Sequence, residues 1–182
     1  MKKIKLYITS TIDGYIATSD GDLEWFIEYP NPEHLDYGFR EFMSEIDIIV
    51  MDEQTYHNLL CMDIIWPYKI WSYKGKTTYI VSNNPNEGKT DGSISYIKGN
   101  SIEEFVRIKE SQNIGLIGSS ELMTMLLQND LVDEMRISKI PILLGEGISL
   151  FSPFNPASDW DVRKNELYVN GVIQTVYRKK TR

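Results

Sequence analysis

Hydroxyl side chains stand at two points where an apolar run gives way to helical spacing: Thr55, and Ser119-Ser120 behind Gly118. A hydroxyl there can donate to an anion or cap the first turn of the helix that follows, and both readings stand for all three residues. A second candidate is Leu131–Phe151, LVDEMRISKIPILLGEGISLF. Gly145 and Gly147 bracket Glu146, so the backbone can take positive φ or pass close to another chain or ligand. The segment is either one wall of a substrate cleft or a tight structural crossover. Metal chemistry is not indicated, because neither His34 nor His57 has a second His or Cys at ligand spacing. Asp36 and Arg40, on one predicted helix, have the i,i+4 spacing of a surface ion pair. No general acid can be named, and the catalytic residues stay unknown.

Ile4, Leu6 and Ile8 alternate with Lys5, Tyr7 and Thr9, which gives a first strand ending near the turn dipeptide Asp13-Gly14. Leu35, Phe39 and Phe42 recur at helical intervals and predict an amphipathic helix over Pro32–Glu45 that covers a sheet face. Ile46–Met51 reads as a strand covered on both sides, with a helix after it. Thr77–Ser82, Ile94–Ile97 and Ile114–Ile117 read as further strands, the first two separated by the Asn-, Pro- and Gly-rich loop Asn83–Gly92. Ser101 opens a helix with Glu103 and Glu104 in its first turn, and Glu121–Leu127 forms another. Met135 and Ile137 alternate with Arg136 and Ser138, a strand with one face more buried than the other, which Pro141 ends. Asn170-Gly171 between Asp161–Val169 and Val172–Arg178 predicts a hairpin. The order gives a three-layer α/β/α fold on a mixed, mostly parallel sheet with a C-terminal antiparallel hairpin.

The 182 residues, 42% hydrophobic, suit one domain over 1–182. The net charge of −7 argues against nucleic acid as a partner, and the basic end from Arg178 to Arg182 reads as a solvated tail. Cys61, the single cysteine, forbids an internal disulfide and fits a reducing cytoplasm. The run ITSTIDGYIA is too short and polar for a signal-peptide core or a membrane span, so no membrane role is expected. Trp66, Tyr68, Trp71 and Tyr73 cluster without a clear period; they close over a ligand, pack at a dimer interface, or fill a core.

In order, Ser10–Ala17 (STIDGYIA), Asp20–Trp25 (DGDLEW), Met51–Tyr56 (MDEQTY), Leu116–Leu122 (LIGSSEL), Leu131–Phe151 and Gly171–Tyr177 span nearly the whole chain. Together they resemble the dihydrofolate reductase-like superfamily, and within it standalone relatives of the C-terminal reductase domain of the bifunctional riboflavin-biosynthesis deaminase–reductase. The resemblance implies hydride transfer from NADPH to a pterin-like or ribosylamino-pyrimidine heterocycle, and a homodimer. It implies cofactor contacts from Met51 and Thr55 in the first phosphate loop, from Gly118, Ser119, Ser120 and Glu121 in the second, and from Ser82 and Asn83 at a strand end. It places Asp13, Gly14, Trp25 and Gly145 on the substrate side. There Asp13 either accepts a hydrogen bond from a ring N–H or simply forms its turn, and Trp25 either stacks on a flat ring or closes the core.

Three departures point toward weaker NADPH binding. The first loop of such relatives reads Gly-Arg-x-Thr-Tyr, whereas this chain has Asp52-Glu53-Gln54-Thr55-Tyr56. A carboxylate about 4 Å from a phosphate at an effective dielectric near 20 costs about 4 kcal/mol, so Asp52 and Glu53 oppose a pyrophosphate unless they turn toward solvent. The second loop offers one glycine where relatives carry two or three. Asn83 stands where an arginine would meet an adenosine 2′-phosphate, and Lys89 in the following loop either substitutes for it or is simply solvated. The alternative to a reductase is therefore a non-catalytic or cofactor-altered binding module on the same fold, or use of NADH.

Overall fold

A computed structural model describes residues 1–65, 75–83, 94–99 and 101–180. Lys89, the cluster Trp66, Tyr68, Trp71 and Tyr73, the body of the 83–92 loop and the last two residues of the basic tail lie outside the described residues. The chain begins with β1 (Ile4–Thr11) and β2 (Tyr15–Ala17), followed by the short helices α1 (Glu24–Ile27) and α2 (Phe39–Ser44). Then come β3 (Ile48–Asp52), α3 (Glu53–Ile65), β4 (Thr77–Ser82), β5 (Ile94–Lys98), α4 (Ile102–Ser111), β6 (Ile114–Leu116) and α5 (Ser120–Gln128). The last part carries β7 (Val132–Ile140), the two-residue β8 (Ile148–Ser149), β9 (Trp160–Leu167) and β10 (Ile173–Lys179).

Eight strands form one sheet in the order β5-β4-β3-β6-β1-β7-β10-β9. β5 to β7 run parallel; β10 is antiparallel to both β7 and β9. The mixed sheet with a terminal hairpin is thus the architecture that the periodicity predicts. β2 and β8 pair antiparallel in a separate small ladder. In β3, Ile48 and Val50 point to a core shared with Phe105 of α4 and Leu122, Met123 and Leu126 of α5. Ile49 and Met51 point the other way, to a core with Phe42 and Met43 of α2 and with Tyr56 and Leu59 of α3. α3 and α5 therefore lie on opposite faces of the sheet.

The expected helix over Pro32–Glu45 is shorter than its apolar spacing suggests. His34, Tyr37 and Gly38 take positive φ, and only Phe39–Ser44 is helical. The Asn31 side chain exchanges two 2.9 Å hydrogen bonds with the Leu35 backbone, and Asp36 accepts from Gly38 N and Arg40 N. These side chains satisfy backbone groups that a longer helix would have used.

β7 departs from the one-sided strand that its alternation implies, since both faces are buried. Met135 and Ile137 enter the α5 core, while Glu134, Arg136 and Ser138 are 4%, 3% and 0% exposed on the α2 face. Charge balance makes this burial tolerable. Arg136 meets Glu45 at 2.7 Å and Glu134 at 3.6 Å, and Lys5 meets Glu45 at 2.5 Å and Glu134 at 3.8 Å. The Arg136 guanidinium also lies 6.0 Å from the Phe42 ring centre, over its face.

Candidate functional site

β3 and β6 are neighbours in the sheet, yet their following helices α3 and α5 leave toward opposite faces. A crevice must open where they diverge, beyond the carboxyl ends of the strands. Both helix starts face it with N–H groups that have no partner inside the helix. A cleft of about 1620 Å³ occupies this edge, reached by Tyr7, Ile8 and Thr9 of β1, Asp52 of β3, and Val81 and Ser82 of β4. That exceeds the volume of about 300–1,000 Å³ usual for one small-molecule pocket.

Asp52 bridges the crevice. Its Oδ1 accepts from Thr55 N at 2.8 Å, which caps α3. Its Oδ2 accepts from the Thr55 hydroxyl at 3.0 Å and from Ser119 N, at the start of α5, at 2.6 Å. A Cβ on Gly118 would stand 2.9 Å from the same Oδ2, so the space that this glycine leaves holds the Asp52 carboxylate. Sequence spacing sets Asp52 against an anion without showing that it turns inward. The available signal was the cap pattern: an aspartate ending a strand, three residues before a hydroxyl, opening a helix.

Opposite the crevice stands an aromatic wall formed by residues 23–37. Trp25, Phe26 and Tyr29 line the cleft and pack with Tyr37, Ile140 and Val172. The Trp25 indole N–H is buried and has no hydrogen-bond partner among the described residues. The wall is tied to the distant hairpin. Asn170 Nδ2 donates to Pro30 O at 3.0 Å and to the Tyr37 hydroxyl at 2.7 Å, and the Tyr29 hydroxyl donates to Asn170 O. Gln174, 1% exposed, donates to Tyr37 O and to Ser138 Oγ. The half-buried Tyr7 hydroxyl reaches Asp36 O and Tyr37 O at 3.1 and 3.0 Å, and desolvation pushes its pKa up, so it stays a donor. Asn170, Gln174 and Tyr37 gave no sign of this role in the sequence, because nothing local marks contacts of that range.

Of the residues proposed from sequence, Trp25, Thr55, Ser82, Asn83, Gly118, Ser119 and Glu121 line the cleft together. Met51 does not; it is fully buried in the α2 core, since alternation along β3 turns it from the crevice. Ser120 is 2% exposed and bonded to Ser152 Oγ at 3.1 Å, while Ser119 is the N-cap of α5. Asp13, Gly14 and Gly145 also lie outside the lining. Asp13 takes a 2.5 Å hydrogen bond from the Thr11 hydroxyl and one of 2.8 Å from Gly145 N, which clips two turns together. The Thr11 contact first, and the Gly145 N–H second, hold the Asp13 carboxyl below the usual carboxylate range. Gly147 packs so closely on Ala17 that a Cβ would stand 2.3 Å from Ala17 O. Asp36 lines the cleft with its carboxylate occupied by the start of α2.

The charged lining is lopsided: Asp20, Asp36, Asp52, Glu53 and Glu121 face one cation, Arg40, among the described residues. A nicotinamide dinucleotide fits this cleft in size and in its flat aromatic end. It does not fit the pyrophosphate point, where Asp52 already supplies the anion. Among the described residues no group of three or more His, Cys, Asp or Glu could hold a metal ion, and no helix is long and apolar enough to cross a membrane.

No protein-family model matches the chain. The uncharacterized protein YwjB of Bacillus subtilis (strain 168) is 30% identical over 152 residues, 82% of this chain and 83% of YwjB. A candidate riboflavin-biosynthesis protein from Shewanella sp. PV-4 superposes with a TM-score of 0.82 at 29% identity, covering 98% of this chain and 99% of that one. The deaminase/reductase of Thermotoga maritima superposes with a TM-score of 0.71 at 15% identity, covering 98% of this chain and 57% of that one. Dihydrofolate reductase from Enterococcus faecalis, in complex with NADP(H), gives 0.66 at 15% identity over 98% and 97% of the two chains. With its switch-point crevice and terminal hairpin, the chain has the dihydrofolate reductase-like fold, shared with the reductase part of the riboflavin-biosynthesis deaminase/reductase, and it belongs to one family with YwjB.

Proposed function

We propose that the protein is an NAD(P)H-dependent reductase of a small, flat heterocycle of pterin-like or ribosylamino-pyrimidine type, acting as a homodimer. The observation that carries this reading is the large cleft at the strand ends between the starts of α3 and α5, faced by the Trp25–Tyr37 wall. The names of the solved neighbours support it: a candidate riboflavin-biosynthesis protein, a riboflavin-biosynthesis deaminase/reductase and a dihydrofolate reductase. When bound, the nicotinamide supplies a hydride. This chain's part is to bind and orient. The Ser119 hydroxyl, Ser82 and Asn83 offer polar contacts along the cofactor side, Trp25 and Phe26 offer a flat apolar face, and the wall excludes water from the ring.

Titration with NADPH and NADH, followed by a stereospecific oxidation assay with pterin and flavin-like acceptors, tests the reading. Saturable binding and transfer of one labelled hydrogen face are expected. No heat of binding and no thermal shift at millimolar cofactor would end it. The Asp52 bridge favours a second reading, a binding module that keeps the fold without the dinucleotide.

A further inference from the structure

The carboxylate of Asp52 sits where a ligand anion would receive the N–H groups of two helix starts. We propose that Asp52 selects the ligand at this point of the cleft, turning away groups that carry phosphate and accepting one hydrogen bond from a neutral donor such as a sugar hydroxyl or ring N–H. The inference rests on the cleft being the ligand site argued above, and it adds which chemistry that site takes.

Three observations converge. The Thr55 N–H, the Thr55 hydroxyl and the Ser119 N–H already converge on the carboxylate, so the donors that would stabilise a phosphate are used internally. The space left by Gly118 is filled by Asp52 Oδ2. The remaining lining adds four more carboxylates, from Asp20, Asp36, Glu53 and Glu121, against Arg40 alone among the described residues. Arg40 is itself 3.7 Å from Asp36, with its side chain 93% exposed. An ionised carboxylate has about four acceptor positions; three are taken, which leaves one on Oδ1 for an uncharged donor.

The test uses Asp52→Ser, which keeps an N-cap oxygen without charge, and Asp52→Asn, so that one well-folded variant suffices. Calorimetry measures the affinity of wild type and variants for NADPH and for inorganic pyrophosphate. The variants should bind both at least about tenfold more tightly than wild type, with steeper salt dependence, because a like charge has been removed from beside the bound anion. Unchanged or weaker affinity for both ligands in a variant that melts like a folded protein would overturn the selection by Asp52. Tighter pyrophosphate binding with no NADPH binding by any form would uphold the selection and remove the nicotinamide reading. NADPH oxidation by wild type, with no gain of affinity in the variants, would do the reverse.

Discussion

Replacing Arg136 by methionine should unfold the protein far more readily than losing a surface charge would. The Arg136 side chain is 4% exposed and holds Glu45 at 2.7 Å, with Glu134 at 3.6 Å and Glu41 at 3.7 Å. Methionine keeps most of the alkyl volume over Phe42, so the loss is mainly of charge. Glu134, 5% exposed, then loses one of its three cationic neighbours and keeps Lys5 at 3.8 Å and the half-exposed Arg178 at 3.5 Å. Removing one member of a buried ion cluster costs about 3–5 kcal/mol. At about 2–4 °C per kcal/mol for a chain of this size, Tm should fall by about 6–20 °C. Thermal and urea unfolding followed by circular dichroism at neutral pH reads this directly. The double variant Arg136→Met/Glu134→Gln should recover a large part of the loss, since it also removes the stranded charge. A single variant within about 1 kcal/mol of wild type, the level of an exposed pair, would refute the reasoning, as would strict additivity in the double variant. Acid adds a second check. Burial raises the Glu45 pKa, but Lys5 and Arg136 outweigh it, so the carboxyl titrates below its ordinary value. A folded-state pKa below the unfolded one contributes stability above about pH 4.3 that is lost as pH falls through the folded value. That acid loss should shrink in Arg136→Met.

Asn170→Ala removes the donors to Pro30 O and the Tyr37 hydroxyl, which should cost about 1–3 kcal/mol and loosen the aromatic wall. Tm and tryptophan fluorescence measure both, and unchanged emission with unchanged Tm would contradict the tie. Asp13 should titrate below about 3.9 in the folded protein, and its contribution to stability disappears as pH drops through that lowered value. Thr11→Val, which removes the largest cause, should raise the carboxyl's titration point as followed by NMR; an unmoved curve would show that the Thr11 hydroxyl plays no part.

The parallel core was legible because strands covered on both sides are written as near-continuous apolar runs, as in Ile48–Met51. The hairpin was legible in place but not in form. Asn170-Gly171 suggests a two-residue loop, whereas Tyr168 N donates to Val172 O and Gly171 N donates to Tyr168 O, which makes a three-residue loop with Gly171 in the left-handed region. A local pattern cannot register that Asn170 is held by Pro30 and Tyr37. The buried face of β7 was hidden for a similar reason. Glu134 and Arg136 look solvated until Lys5 and Glu45 are brought beside them from elsewhere in the chain. In the cleft, hydroxyls and glycines marked the two helix starts. The inward turn of Asp52 depends on the approach of Ser119 N, 67 residues away.

The tie between the hairpin and the aromatic wall also sets when the cleft can exist. Asn170 lies 140 residues beyond Pro30, and Gln174 lies 137 beyond Tyr37. During synthesis the wall segment leaves the ribosome well before its partners and waits until 140 further residues have followed, while neighbouring parallel strands can already pair. A nascent chain halted before the hairpin would carry much of the sheet and only one side of the cleft. The aromatic wall is thus complete only once β10 has paired, and the hairpin acts as the closing step in building this side of the cleft.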